Sequence, residues 1–409
     1  MIEFNNTKLQ NGIRIVTETD FSLKTFSLGF WFNTGSINET RKNNGISHFI
    51  EHMLFKGTTK RTSKKIADDI ESLGGYLNAF TSKEHTCYYG RGLSEHLNKT
   101  FEVIADMILN SVFNEKDILN ESKVILDELY DIDDSPDELI FDRFESELFK
   151  GNSIAYPVIG TETNIKTINR DMISDYINKF YTSNNLTVSI TGPFSHDVII
   201  NLCDKYFGNF NTFSKIKKHK IKLLKSFDFK IESETQQIHY ITGMPTFGAN
   251  DKKRTVVALL SHILGEGSSS RLFQSLREKN GIAYQINTFL NSFFDISSFG
   301  VYLSTNKSSF KKAQALIKKE FDKIRAKKVT QKELNRAKEY FIGSLIMNLE
   351  STTGRMNRNA QFNIYWDRFK PIEESVKEIR AITSEEILSV ANEFICENKM
   401  LDVVLGKNV

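Results

Sequence analysis

GISHFIEHMLFKG (45–57) and RTVVALLSHILGEG (254–267) are the two stretches on which the organisation of this 409-residue chain turns. In the first, Ile46, Phe49, Ile50, Met53 and Leu54 fall at i, i+3, i+4, i+7 and i+8, the spacing of an amphipathic helix with one buried stripe. Each helical residue advances about 100°, so His48, Glu51 and His52 share the opposite face. The second stretch repeats the apolar pattern 210 residues later. It places Ala258 and Ser261 where the first has His48 and Glu51, and keeps only His262 opposite His52.

The neighbouring segments repeat in the same order. A β-like run, KTFSLGFWFNTGS, precedes the first helix, and LGGYLNAFTSKEHTCYYGRG follows it after a further helix. QQIHYITGMPTFG and GIAYQINTFLNSFFDISSFGVYLS hold the same places in the second half. Helical patterns close both copies, FEVIADMILNSVF and EKDILNESKVILDEL against FKKAQALIKKEFDKI and KELNRAKEYFIGSL. Such a match of order and spacing predicts a duplicated α+β unit, two domains each with a mixed β-sheet flanked by helices. The expected boundaries are 1–212 and 229–409, joined by the lysine-rich segment FSKIKKHKIKLLKSFD (213–228), which reads as a solvated linker.

Length and composition agree with two soluble domains. The chain is 40% hydrophobic and 26% charged, and a net charge of +3 is too small to point to a nucleic-acid partner. No apolar run approaches the roughly 18 residues that span a bilayer, and the N-terminal residues lack an apolar signal core. Cys87, Cys203 and Cys396 are odd in number and far apart, which disfavours a disulfide framework and suits a reducing cytoplasm.

The polar face of the first helix points to a metal. His48 and His52 stand one turn apart, so both imidazoles can reach one zinc ion at about 2.0–2.1 Å. Glu51, on the same face, is placed to accept a proton from a water activated by that ion. A catalytic zinc needs a third protein ligand from another element, and the acidic helix over 115–130 is the donor. Glu121 and Glu128 lie on nearly one face but about 10.5 Å apart along the axis, so only one of them can ligate. Glu121, Asp127 and Glu128 all remain open on these grounds. In the second copy Ser344 stands opposite Glu128, which places the chemistry in the first half.

Here the sequence resembles the inverzincin metallopeptidases, the M16 family of pitrilysin, insulysin and mitochondrial processing peptidase, over essentially its whole length. The resemblance is to the short bacterial members, and it rests on HFIEH (48–52) with ESKVILDE (121–128) downstream. It implies Glu128 as third ligand of one zinc per chain, Glu51 as catalytic base, and Glu121 as an acid that orients ligands or aids catalysis. LGGYLNAFTSKEHTCYY resembles the family's edge strand, which implies that Asn78 and Ala79 bind an extended peptide by strand addition. SSSRLFQSLREKNGIAYQ resembles the family's Arg-x6-Tyr pair, which implies substrate-backbone and oxyanion binding by Arg277 and Tyr284.

The implied activity is zinc-dependent hydrolysis of peptides or unfolded segments in a chamber of four such domains, in a bacterial cytoplasm. One chain supplies two domains, so the resemblance implies a homodimer, or a heterodimer with an inactive paralogue. Relatives that have lost their ligands serve as structural or partner subunits. The intact HFIEH and distal glutamate weigh against that role here.

Overall fold

The computed structural model describes residues 2–215, 221–225 and 227–409, so positions 216–220 and 226 of the expected linker lie outside the described residues. In chain order the first elements are β1 (Glu3–Lys8), β2 (Arg14–Thr19), β3 (Thr25–Phe32), α1 (Ile46–Leu54), α2 (Ser63–Glu71), β4 (Tyr76–Thr81) and β5 (Thr86–Leu93). Next come α3 (Leu97–Asn110), α4 (Glu115–Asp134), α5 (Pro136–Leu148), α6 (Glu162–Ile165), α7 (Arg170–Phe180), β6 (Leu186–Gly192) and α8 (His196–Phe207). The second series is β7 (Phe229–Glu232), β8 (Ile238–Phe247), α9 (Arg254–Gly265), β9 (Gln285–Ser292), β10 (Ile296–Thr305), α10 (Phe310–Ala326) and α11 (Gln331–Asn348). It ends with α12 (Thr352–Trp366), α13 (Ile372–Ala381), α14 (Ser384–Phe394) and β11 (Leu401–Gly406).

The duplication is plain in the sheets. One has the order β1-β2-β6-β3-β5-β4, the other β7-β11-β8-β10-β9. Apart from β1 the strands correspond one to one, and each sheet has one parallel pair, β2 with β6 and β7 with β11, among antiparallel neighbours. This is the α+β architecture of two sheets flanked by helices. β3 (TFSLGFWF) shows why its apolar residues run without alternation: it lies between β6 and β5 and is buried from Phe26 to Phe32.

The compact units differ from the sequence halves in two segments. Residues 131–155, with α5, belong to the second unit, and residues 347–370, with α12, belong to the first. The stripe on α12, Met356, Asn359, Ala360 and Asn363, lies against β2, β3 and β6 of the first sheet. Polar contacts reinforce it: Ser27 Oγ is 2.8 Å from Thr352 Oγ1, and Ser189 Oγ donates to the Met356 carbonyl at 3.0 Å. On the second unit's sheet α5 plays the same part, packing on β8 and β11, with Glu145 Oε1 accepting from Asn291 and Ser298. A helical stripe shows that a helix needs a sheet but not which one, and so the linker at 213–228 does not mark the full division.

Arg355 anchors α12, donating to Glu18 at 2.5 Å and to Asp20 at 3.3 Å. The Arg355 and Glu18 side chains are 12% and 6% exposed. Arg355→Met leaves a buried carboxylate without its cation and is expected to destabilise the first unit by about 3 kcal/mol. Both tryptophans, Trp31 and Trp366, lie in that unit, so the urea midpoint of their fluorescence reads the effect.

Candidate metal centre

The apolar stripe of α1 is fully inside, with Ile46, Phe49, Ile50 and Met53 at 0% exposure, and this turns His48, Glu51 and His52 to the other side. A buried carboxylate sets where the helix starts. Glu39 accepts from the Gly45 N–H at 2.7 Å, the Ser47 N–H at 2.8 Å and Asn44 Nδ2 at 2.8 Å, closing the free donors of the first turn. Gly45 has φ +99°, and a Cβ there would stand 2.7 Å from the Ile159 carbonyl, so the close approach requires glycine.

His48, His52 and Glu128 offer donor atoms that all lie within 4.8 Å of one another, a single such group among the described residues. His48 Nε2 is 3.7 Å from Glu128 Oε1 and His52 Nε2 is 3.7 Å from Glu128 Oε2. These gaps are too long for hydrogen bonds, yet they suit atoms that share an ion about 2.1 Å from each. Two imidazoles and one carboxylate are also the donor set of catalytic zinc sites, so the residues present fit the metal.

Glu121 faces the other side of His52. Its Oε1 is 2.9 Å from His52 Nδ1, and Lys56 pairs with the same carboxylate. Burial pushes the Glu121 carboxyl up, but hydrogen bonds from His52 and Lys56 outweigh it and hold the pKa below the usual glutamate value. An ionised Glu121 only accepts, so His52 Nδ1 carries the proton and leaves the Nε2 lone pair for the ion. Asp127 is exposed and outside the donor group.

Glu51 lies on the same face, mostly buried, with its Oε2 accepting from Thr81 Oγ1 at 2.5 Å. Burial raises its pKa above the ordinary glutamate value, against the Thr81 hydrogen bond and the charge of His52. His48 is shifted the other way: burial, and to a lesser degree His52, lower its pKa to about 4, so its imidazole is neutral and ready to ligate at pH 7.

Buried neutral histidines make the metal-free fold acid-sensitive. His85, fully buried and facing the charge of Arg14, is likewise lowered to about 4. In the unfolded chain both would protonate near pH 6.5, whereas in the folded chain they stay neutral until about pH 4. This contribution to stability is complete above pH 6.5 and is lost as pH falls toward 4. The unfolding free energy of chelator-treated protein, from urea titration, should drop between pH 7 and pH 5 by roughly 2 kcal/mol per histidine.

β4, which carries Asn78 and Ala79, is an edge strand. The Ser82 N–H donates to the His85 carbonyl at 2.7 Å and closes the hairpin with β5. Because hydrogen-bonded and non-bonded pairs alternate in an antiparallel ladder, Leu77, Ala79 and Thr81 turn their backbone groups to the open edge. There the Ala79 N–H donates to Asn78 Oδ1 at 2.8 Å. The open edge ends at Thr81, the residue that contacts Glu51.

Arg277 and Tyr284 lie in the second unit, Arg277 on a wide π-helical stretch, Phe273–Glu278. The Arg277 guanidinium sits 5.8 Å from the centre of the Tyr284 ring, and Tyr284 is 75% exposed. At the position corresponding to the metal site, the His262 ring lies 4.6 Å from the Tyr340 ring, tilted by 34°, with Ser261 buried beside it. The sequence reading missed Glu39, Thr81 and Lys56. Only Thr81 left a trace, by following the Asn78–Ala79 pair on one strand.

Comparison with known proteins gives the family. Residues 14–162 match the description of insulinase, peptidase family M16, and residues 167–341 match the M16 peptidase inactive domain. A Bacillus subtilis (strain 168) protein named uncharacterized zinc protease YmxG is 33% identical over 97% of this chain and 96% of its own. A Rickettsia bellii (strain RML369-C) protein named uncharacterized zinc protease is 33% identical over 99% and 98%. The crystal structure of a protease from Helicobacter pylori has the same fold, with a TM-score of 0.92 at 22% identity over 99% of both chains. With the two halves matched in order and relatives at this identity over nearly their full lengths, the chain belongs to the insulinase-type peptidase family M16.

Proposed function

We propose that this chain is a zinc-dependent endopeptidase that binds one zinc through His48, His52 and Glu128. The observation that carries the reading is the convergence of these three side chains within 4.8 Å, with the Glu51 carboxylate on the same helix face. The names of its relatives as zinc proteases support it. Zinc, when bound in such a site, supplies a Lewis acid that polarises a carbonyl and brings the pKa of water near 7.

The chain's own residues do the rest. Glu51, its pKa raised above the ordinary glutamate value by burial, takes the proton of the attacking water and delivers it to the leaving nitrogen. Glu121 holds the His52 ring in its tautomer. An extended peptide adds to β4, and its carbonyl replaces Asn78 Oδ1 on the Ala79 N–H. Arg277 binds the substrate backbone, and Tyr284 donates to the oxyanion.

The active form is a dimer of two 47.0 kDa chains enclosing the substrate, in a bacterial cytoplasm. Among the described residues no helix is long and apolar enough to cross a membrane. Incubating zinc-loaded protein with peptide libraries, with products read by mass spectrometry and mass by light scattering, tests the reading. Internal cleavage by a dimer is the expected result. A zinc-replete, folded protein that cleaves no peptide would overturn it.

A further inference from the structure

A cavity of about 530 Å³ opens at the far end of the edge strand from Glu51. Its walls include Tyr76 and Leu93, both partly exposed, Arg91, and Thr352 and Thr353 at the start of α12. All of these residues belong to the first unit. The Arg91 guanidinium lies 4.5 Å over the Tyr76 ring and makes no ion pair among the described residues. Arg91 is exposed, so its N–H donors stand over the Tyr76 ring without an ion-pair partner. Tyr76 is also tied to the peptide-binding edge, since Asn78 Nδ2 donates to its hydroxyl at 2.7 Å.

Strand geometry connects the cavity to the catalytic centre. Thr81, in contact with Glu51, and Tyr76, on the cavity wall, are the two ends of β4, roughly 17 Å apart at the usual rise of an extended chain. A peptide residue paired opposite Tyr76 projects to the same face as the Tyr76 side chain. It therefore faces the cavity wall that Tyr76 forms, while residues paired near Thr81 lie toward Glu51.

We propose that this cavity is a substrate subsite that takes an acidic side chain about four to six residues from the scissile bond, with Arg91 as its specificity determinant. The proposal rests on the peptidase reading given above. Glu350 is the other charged residue of the lining and sets a limit on the preference. The polarity of the added strand decides on which side of the scissile bond the acidic residue lies.

Two measurements test it. The first is binding of uncleaved peptides to Glu51→Gln protein by fluorescence anisotropy, with Glu or Lys at each position from three to seven residues on either side of the cleavage site. Glu is expected to be favoured over Lys by roughly tenfold at one or two of the distal positions on one side, the scale of one charge-assisted hydrogen bond in an open site. Arg91→Ala should bring that ratio to about one, Arg91→Glu should invert it, and Glu350→Gln should widen it. The second is kcat/KM of the wild-type protein on the same pairs, which should show the same ratio. Cleavage and binding with no charge preference at these positions, or a preference that survives Arg91→Glu, would overturn the subsite alone. Peptides that bind with the preference but are never cleaved by zinc-loaded wild-type protein would count against the peptidase reading and leave the recognition by Arg91 standing.

Discussion

Glu51→Gln protein is expected to keep its full zinc complement and to lose at least about 10²–10⁴ in kcat, the usual worth of a general base. The two effects separate because Glu51 is outside the donor group of His48, His52 and Glu128, and its carboxylate is held instead by Thr81. An amide in its place accepts the Thr81 hydrogen bond through its oxygen but cannot take a proton from water. Glu128→Gln should behave in the opposite way, because its oxygens are the ones that face both imidazole Nε2 atoms at 3.7 Å. Its zinc affinity should fall, and turnover should return as zinc is added in excess. Metal analysis after dialysis against a weak chelator distinguishes the two. Full, tight zinc in Glu128→Gln would move the ligand role to Glu121 or Asp127.

Tyr284→Phe should lower kcat and kcat/KM together by roughly 10²–10³, the scale of a lost oxyanion-hole donor, with zinc content unchanged. The hydroxyl is exposed on the second unit and its ring lies beside the Arg277 guanidinium, so its removal leaves no buried group unpaired in the free protein. A loss of activity without a loss of stability would thus report on the transition state. Arg277→Ala should chiefly raise KM, because a contact made to the peptide backbone in both ground and transition states affects binding uniformly. If Tyr284→Phe turned over at the wild-type rate, the second unit would have no part in the chemistry.

Much of this protein was legible without its fold. Five apolar residues on α1 were enough to turn His48, Glu51 and His52 to one face, and all five are buried as the periodicity requires. The duplication was equally open to reading, since a repeat needs only order and spacing, and the two sheets do share one topology. The choice among Glu121, Asp127 and Glu128 was different. Helical phase leaves Glu121 and Glu128 on nearly one face and the family resemblance implied Glu128, while the packing of α4 beside α1 is what brings Glu128 to the Nε2 atoms and Glu121 to His52 Nδ1.

The same distinction explains what the sequence left hidden. Glu39 closes the first turn of α1 from outside the helix, and Thr81 reaches Glu51 from a strand 30 residues away, so neither contact follows from a local pattern. No local pattern gave α5 or α12 a partner, and only the tertiary structure assigned α5 to the second sheet and α12 to the first. Periodicity along a chain determines which side chains share a face and therefore which residues can act together. Which face meets which is decided by the packing of whole elements, where apolar stripes of similar shape compete for the same sheets and only the complete set of contacts separates them.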